Sequence, residues 1–289
     1  MVSVSDPHAP VTGPRSADAQ AGILRRAPQS VFDIVDAHTH LGSDAVMFMP
    51  RHAAHDVVAA IDRCGVGMAV SSSMRAIRQD VVLGNRETAA AVDSLNGRIR
   101  GAMVINPWRA PDDEIAFWAA DPRMSMIKVH PDVHEYPLSG ARYDAVWEFA
   151  TRTGCPVLTH TWHGSEFDGW PQVERVCDRF PGVPLIAGHA GVLSRGLDIG
   201  IQLTATFPRL LLELCGSHSH GREITRMVRE AGADRVLYGS DSPFIEMRTA
   251  LGRAIFCDLT DDERERVLGR NVRELLRWRE GGRLTAGAS

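Results

Sequence analysis

Eight short apolar runs recur along the chain, and each is followed by a longer stretch with helical periodicity. The runs are VFDIVDAH (31–38), GMAVSSS (67–73), RGAMVIN (100–106), SMIKVH (125–130), PVLTHT (156–161), PLIAGH (184–189), RLLLEL (209–214) and RVLYGSD (235–241). Continuous apolar runs of this length are typical of strands that are buried on both faces of a parallel sheet. The unit repeats at roughly 30 residues, which is the scale of a βα unit. Eight such units predict an α/β chain with a (β/α)8, or TIM, barrel.

An open, doubly wound sheet is the alternative arrangement of alternating strands and helices. Such a sheet carries a Gly-rich phosphate loop after its first strand, whereas HTHLG (38–42) stands at that place here. The 289 residues and 44% hydrophobic content also suit one barrel domain. We expect a flexible N-terminal leader over residues 1–30, a single barrel domain over 31–280 and a frayed tail over 281–289.

Charge and cysteine content narrow the class of protein. The formal net charge of −4 provides no basic surface for nucleic acid or for an anionic membrane. The five cysteines are widely spaced and form no CxxC pair, so no disulfide framework is indicated. No apolar segment has the length of a membrane span, and no export signal is recognisable. We expect a cytoplasmic protein that acts on a small-molecule substrate, and its apolar helix faces could support a homodimer.

Histidines concentrate at the C-terminal ends of the predicted strands, which meet at one mouth of a barrel. His38 and His40 form an HxH pair on the first strand, and the alternation of strand side chains directs both imidazoles inward. Two such imidazoles can bind one metal ion. A second HxH, at His218 and His220, lies in a Gly-flanked loop, and we interpret it as loop.

Three later strands end in residues of the types that bind metals. His160, His189 and Asp241 close the fifth, sixth and eighth runs. Any one of them alone is as readily explained as a hydrogen-bonded polar group or a helix cap. Together with the HxH pair, they predict a divalent metal site at the barrel mouth.

Five ordered motifs resemble the amidohydrolase superfamily. They are DAHTH (36–40), IKVHP (127–131), LTH (158–160), GHAG (188–191) and GSDSP (239–243). The resemblance is to the compact branch that includes aminocarboxymuconate-semialdehyde decarboxylase and γ-resorcylate decarboxylase. It implies that His38, His40, His160 and Asp241 bind one divalent metal, for which Zn²⁺ is the first expectation and Mn²⁺ the alternative. It also implies that His189 lies beside the metal and that His189 and Asp241 are the catalytic proton carriers.

Lys128 determines how many metals are expected. The alternation in IKVH turns Lys128 and His130 inward. In binuclear members of the superfamily, a carboxylated lysine on the fourth strand bridges two metals, whereas the compact branch commonly has a similar residue without a second metal. We expect one metal, with a second metal bridged by carboxylated Lys128 as the alternative. Lys128, His130 and Trp162 are then candidate substrate contacts.

The resemblance leaves the reaction open between two classes. A hydrolase would use activated water on an amide, a lactone or a related C–N or C–O bond. A non-oxidative decarboxylase of a small aromatic or unsaturated acid is the alternative, and Arg75, Arg109 and Arg195 beyond strands two, three and six could bind its carboxylate. The short connections favour the hydrolase, because the decarboxylases usually carry longer insertions. A non-catalytic binding protein on the same barrel should have lost a metal ligand, and none is missing.

Overall fold

The computed structural model describes residues 13–44, 46–49, 51–190, 194–216 and 220–280. Eight strands form one parallel sheet in the order β1 to β8. Their bounds are Val35–Leu41 (β1), Met68–Ser73 (β2), Ile99–Val104 (β3), Met124–Val129 (β4), Val157–His160 (β5), Leu185–Gly188 (β6), Leu210–Glu213 (β7) and Val236–Leu237 (β8).

The last strand returns to the first and closes the sheet. The backbone N–H of Ala37 donates to the carbonyl of Tyr238 at 3.0 Å, and that of Asp241 donates to the carbonyl of His38 at 2.8 Å. A further parallel bridge joins Thr39 to Ser242. The predicted single-domain (β/α)8 barrel is therefore confirmed.

Helices follow the strands and cover the barrel. Their bounds are Pro14–Leu24 (α1), Ala54–Cys64 (α2), Met74–Arg78 (α3), Val81–Ser94 (α4), Pro111–Ala119 (α5), Pro131–His134 (α6), Asp144–Thr153 (α7), Trp170–Arg179 (α8), Ser194–Thr206 (α9), Gly221–Ala231 (α10), Met247–Phe256 (α11), Asp261–Glu265 (α12) and Asn271–Leu276 (α13). A π-helical turn, Arg266–Arg270, joins α12 to α13. Among the described residues, no helix has both the length and the apolar character needed to cross a membrane.

The barrel interior is filled by a layer of apolar side chains to which every strand contributes. Its members from the strands are Val35, Ala37, Val70, Ala102, Met126, Leu158, Ile186, Leu211 and Leu237. Because side chains alternate along a strand, residues two positions further along point into the next layer towards the C-terminal mouth. On four strands that next inward residue is polar: Ser72, Lys128, His160 and Glu213. The apolar layer is thus the floor of a polar site.

The N-terminal segment contains ordered structure, which corrects the expectation of a flexible leader for part of its length. In α1, the N–H and the hydroxyl of Ser16 donate to Asp261 Oδ1 at 3.0 and 2.5 Å. The buried residues of α1 are Ser16, Ala19 and Gly22. Side chains this small allow the helix to approach the barrel closely, and a search for apolar periodicity does not register them. Residues 1–12 and the predicted tail, 281–289, lie outside the described residues.

The first strand is displaced from its predicted position, 31–38. It begins at Val35 and continues to Leu41, and its pairing with β2 changes register between Asp36 and Thr39. The HxH pair therefore lies within the strand, with the side chains of His38 and His40 buried.

Candidate metal centre

A cavity of about 650 Å³ opens at the C-terminal ends of the strands. All eight predicted site residues line it: His38, His40, Lys128, His130, His160, Trp162, His189 and Asp241. The rest of the wall is formed by Met47, Met74, Arg78, Asp132, Val133, Glu135, Gly216, Phe244 and Ile245. The residues predicted from five separate strand ends are therefore brought to one cavity.

His38, His40 and Asp241 form a compact group at the seam between β1 and β8. Their ligand-type atoms lie within 4.8 Å of one another. Oδ1 of Asp241 is 3.3 Å from Nε2 of His40 and 3.8 Å from Nε2 of His38. Asp241 has a φ of +60°, a value that residues with a side chain seldom adopt. Strained backbone of this kind concentrates at functional sites.

His160 belongs to a neighbouring group rather than to that trio. Its Nδ1 is 2.6 Å from Oδ2 of Asp168, and its ring stacks on that of His130 with centroids 4.3 Å apart. The ring centroid of His189 is 4.8 Å from that of His160 and 5.3 Å from that of His38. His189 thus stands between the trio and His160.

The three predicted histidine ligands each have a partner at Nδ1. Nδ1 of His38 is 3.2 Å from Oε2 of Glu213, and Nδ1 of His40 is 3.1 Å from the hydroxyl of Ser72. Asp168 holds His160 in the same way. A carboxylate that accepts from Nδ1–H leaves the lone pair of Nε2 for a metal, and this arrangement is usual around metal-binding histidines. Imidazoles and a carboxylate suit Zn²⁺ or Mn²⁺, so this donor set fits the expected metal.

Burial governs the protonation of these groups. It lowers the pKa of His189 and of His160 to about 4, and the nearby Lys128 and His40 contribute to the shift at His160. The pKa of His38 lies well below its ordinary value because of burial and the proximity of Lys128. A histidine binds a metal as the neutral imidazole. These lowered pKa values keep the rings of His38, His160 and His189 neutral at pH 7.

The carboxylate of Asp241 behaves in the opposite way. Burial alone would raise its pKa, but the hydrogen bond with His40 and the nearby His38 and His189 hold the pKa below its ordinary value. Asp241 is therefore ionised at neutral pH. An ionised carboxylate among neutral imidazoles gives the site the net negative charge that attracts a cation.

Lys128 contacts the metal trio directly. Its side chain is buried, and its Nζ lies 2.9 Å from Nε2 of His38. Desolvation lowers the pKa of Lys128, although the charges of Asp241 and Glu213 oppose that shift. Nζ of Lys128 thus stands at the nitrogen of His38 that faces the cavity, and a metal bound through that nitrogen would displace it.

Three of the rings that line the cavity form a flat wall. The rings of His160 and Trp162 are nearly parallel, at an angle of 7° with centroids 6.1 Å apart, and the ring of His130 stacks on that of His160 at 12°. Trp162 is 37% exposed, so part of its surface is open to the cavity. This wall suits a planar or apolar part of a substrate.

Among the described residues, two cationic side chains line the cavity, Lys128 and Arg78. Arg78 is paired with Asp44, whose Oδ2 lies 2.6 Å from its Nε. The arginines considered for a substrate carboxylate lie elsewhere. Arg75 pairs with Glu87 at 3.1 Å, and Arg109 borders a separate groove beside α4. Arg195 is exposed and does not line the cavity.

Four residues within hydrogen-bond distance of the site histidines were not predicted: Ser72, Asp168, Glu213 and Cys215. Glu213 left a signal, because it is an acidic residue within the apolar run RLLLEL and shares its strand face with Leu211. Asp168 lies in the loop after β5, where no periodicity indicates its direction. Of the second HxH, His218 lies outside the described residues, and His220 is exposed immediately before α10.

Comparisons with known proteins place the chain among related barrels. A family model described as amidohydrolase matches residues 35–278. No curated protein sequence matches the chain. A structure of 2,6-dihydroxybenzoate decarboxylase from Rhizobium is similar with a TM-score of 0.70 and 15% identity, covering 87% of this chain and 100% of that one.

Two further solved structures differ in the chemistry that their names give. The 5-carboxyvanillate decarboxylase from Novosphingobium aromaticivorans, complexed with manganese and a nitrobenzoic acid, has a TM-score of 0.66 and 13% identity over 85% of this chain and 96% of that one. A candidate 2-pyrone-4,6-dicarboxylic acid hydrolase from Pseudomonas putida has a TM-score of 0.66 and 16% identity, over 86% and 98%. At these identities the likeness is one of fold.

Proposed function

Since the chain belongs to the amidohydrolase family, we propose that it is a metal-dependent hydrolase acting on an amide, lactone or related C–N or C–O bond of a small molecule. The observation that carries the proposal is the group of His38, His40 and Asp241 at the cavity, with outer partners at Nδ1 of both imidazoles. We propose that His160 completes the ligand set through its Nε2, because Asp168 occupies its Nδ1. The metal is Zn²⁺ in this proposal, with Mn²⁺ as the competitor.

The residues around the cavity have different roles in the proposed hydrolysis. When bound, a divalent metal supplies Lewis acidity, which lowers the pKa of water and polarises a carbonyl group. Asp241 and His189 are the proton carriers: one accepts the proton of the attacking water, and the leaving nitrogen or oxygen receives a proton as the bond breaks. The wall of His130, His160 and Trp162 orients the flat part of the substrate, and Lys128 donates a hydrogen bond to it.

The charges around the cavity favour hydrolysis of a substrate without a carboxylate. Asp132, Glu135 and Asp241 contribute three carboxylates to the wall, and the guanidinium of Arg78 is already paired with Asp44. An anionic substrate would meet repulsion from these groups and, within the described part of the chain, would have only the metal and Lys128 as counterions. A neutral amide or lactone meets no such penalty.

A non-oxidative decarboxylase is the second candidate. Two of the similar structures are named as decarboxylases of hydroxylated aromatic acids, and the stacked rings of His160 and Trp162 would suit an aromatic substrate. In that reaction Asp241 or His189 would protonate the ring carbon as CO₂ leaves.

One screen separates the two candidates. The purified protein is stripped with chelator, reloaded with Zn²⁺ or Mn²⁺, and offered neutral amides, lactones and hydroxylated aromatic acids, with hydrolysis products and CO₂ measured in parallel. The proposal expects metal-dependent hydrolysis of neutral compounds. Release of CO₂ without hydrolysis would replace it with the decarboxylase.

The metal site is tested with variants. His38→Ala/His40→Ala should lose stoichiometric metal while the barrel remains folded by circular dichroism. His55→Ala is the matched control, because His55 lies on α2 with its side chain 81% exposed. If the double variant retains one metal per chain, the ligand set is wrong. Lys128→Ala should keep one metal per chain, whereas a fall from two to one would support the site bridged by carboxylated lysine.

A further inference from the structure

Glu213 is buried at the end of β7, behind the metal trio. Its side chain has no exposed surface. The barrel makes room for it at Gly239 on the neighbouring strand segment, where a β-carbon would stand 2.1 Å from Oε1 of Glu213. The carboxylate therefore occupies space that a side chain at position 239 would otherwise fill.

Both carboxylate oxygens of Glu213 are acceptors. Oε1 accepts from the N–H of Cys215 at 2.7 Å, and Oε2 accepts from the N–H of His189 at 3.3 Å. The second bond holds a residue with a φ of +61°, which is unusual for a histidine. Oε2 also lies 3.2 Å from Nδ1 of His38. One carboxylate thus touches two of the histidines that line the cavity.

The contacts of His38 determine which of its nitrogens carries the proton. The ionised carboxylate of Glu213 has only acceptors, so in that form it accepts from Nδ1–H and places the ring proton of His38 on Nδ1. On the other side of the ring, Nζ of Lys128 is 2.9 Å from Nε2, and in the ammonium form it has only protons to donate. In their charged forms, Glu213 and Lys128 select the same neutral tautomer, with the lone pair of Nε2 towards the cavity. The sulfur of Cys215, 3.3 Å from Nδ1, is a weak acceptor for the same Nδ1–H.

We propose that Glu213 is a positioning residue of the metal centre, which fixes the Nδ1–H tautomer of His38 and holds the backbone of His189 beside it. The role rests on the proposed metal site. Glu213 acts through His38 and His189, because its own side chain does not line the cavity. In the segment that ends β7, Gly216 is the lining residue.

A purely structural role is the competing explanation, and Asp36 provides the matched control. Asp36 is also a fully buried carboxylate, and its Oδ1 accepts two backbone N–H groups, from His38 at 3.0 Å and from Ser240 at 3.0 Å. Within the part of the chain that the structure describes, Asp36 makes no hydrogen bond with an imidazole nitrogen. Asp36→Asn and Glu213→Gln therefore impose the same chemical change on buried carboxylates that differ in their contact with the His38 ring.

In Glu213→Gln, the amide NH₂ can donate to Nδ1 of His38, which would move the ring proton to Nε2. Outer partners of metal-binding histidines typically change affinity by about 10- to 100-fold. We expect the affinity for Zn²⁺, measured in competition with a fluorescent chelator, to fall by about that factor in Glu213→Gln. In Asp36→Asn it should stay within about twofold of the parent chain.

The tautomer of His38 can be measured by NMR in the metal-free protein, with no assay of activity. In the ¹⁵N-histidine-labelled, metal-free parent chain, long-range ¹H–¹⁵N spectra should show His38 protonated at Nδ1, with its signals assigned by their loss in His38→Ala. Glu213→Gln should shift that proton to Nε2, and Asp36→Asn should not.

Two results would overturn the role of Glu213: an Nε2–H or doubly protonated His38 in the parent chain, or an equal loss of Zn²⁺ affinity in both variants. The spectrum of the parent chain decides the matter even if Glu213→Gln does not fold. A parent chain that binds no Zn²⁺ but shows the Nδ1–H tautomer would refute the proposed function and leave the contact of Glu213 with His38 intact.

Discussion

His134 predicts a specific dependence of stability on pH. Its side chain is buried at the end of α6, with Nδ1 3.0 Å from the hydroxyl of Tyr143 and Nε2 3.1 Å from the carbonyl of Ile77. The neutral ring satisfies both partners, since Nε2–H donates to Ile77 and Nδ1 accepts from Tyr143. Burial lowers the pKa of His134 from 6.5 to about 4.

The sign of the effect follows from proton binding. Between pH 6.5 and pH 4, the unfolded chain binds a proton at His134 and the folded chain does not, so the free energy of unfolding falls as the pH falls. Each pH unit in this window costs about 1.4 kcal/mol. Protonation of His134 should leave the free energy of unfolding almost unchanged at pH 7.5 and lower it by about 2.5 kcal/mol at pH 4.5.

The assay compares the parent chain with His134→Gln, which can still donate to Ile77 but does not titrate. Urea unfolding is measured in chelator-containing buffer from pH 7.5 to pH 4.5. The variant should be less stable at pH 7.5, and this difference should shrink by about 2.5 kcal/mol by pH 4.5. His55→Gln, at an exposed position, is the control and should show a constant difference. A constant difference for His134→Gln as well would refute the reasoning.

Two further substitutions test contacts of the site and of the N-terminal helix. Asp168→Asn should lower Zn²⁺ affinity about 10- to 100-fold in chelator competition, because its amide can donate to Nδ1 of His160 and displace the proton to Nε2; an unchanged affinity would remove His160 from the ligand set. Asp261→Ala removes the acceptor for the N–H and hydroxyl of Ser16, and should cost about 1–2 kcal/mol in urea unfolding and expose α1 to limited proteolysis. Unchanged cleavage of α1 would show that its apolar contacts alone hold it.

The barrel was predictable because two periodicities coincide along the chain. Apolar runs mark the strands, and the alternation within them places Met126 and Leu158 in the barrel floor with Lys128 and His160 directly above. The same alternation does not explain His38, since the register of β1 changes between Asp36 and Thr39. The spacing of the HxH motif predicted that His38 and His40 act together, whereas the predicted bounds of the first strand, 31–38, were displaced.

The outer partners could not be predicted because they depend on contacts between distant segments. Asp168 reaches His160 from a loop, and Cys215, 3.2 Å from Nδ1 of His189, follows the end of β7. Neither position has a local pattern that fixes its direction. Glu213 was not predicted either, but its sequence position carries a signal, because a buried strand tolerates an acidic residue only where the protein supplies donors. The homodimer and the single metal stay predictions.

The seam of the barrel has a consequence for how the protein is made. His38 and His40 lie on the first strand, while Asp241 follows the last, about 200 residues later. A ribosome releases these groups in that order, so the trio does not exist until the final βα unit has left the exit tunnel and joined the first. A chain truncated before Asp241 would carry the two histidines and most of the hydrophobic core, yet would lack the carboxylate. Capture of the proposed cation at this seam would therefore require that the last strand has been made and has joined the first.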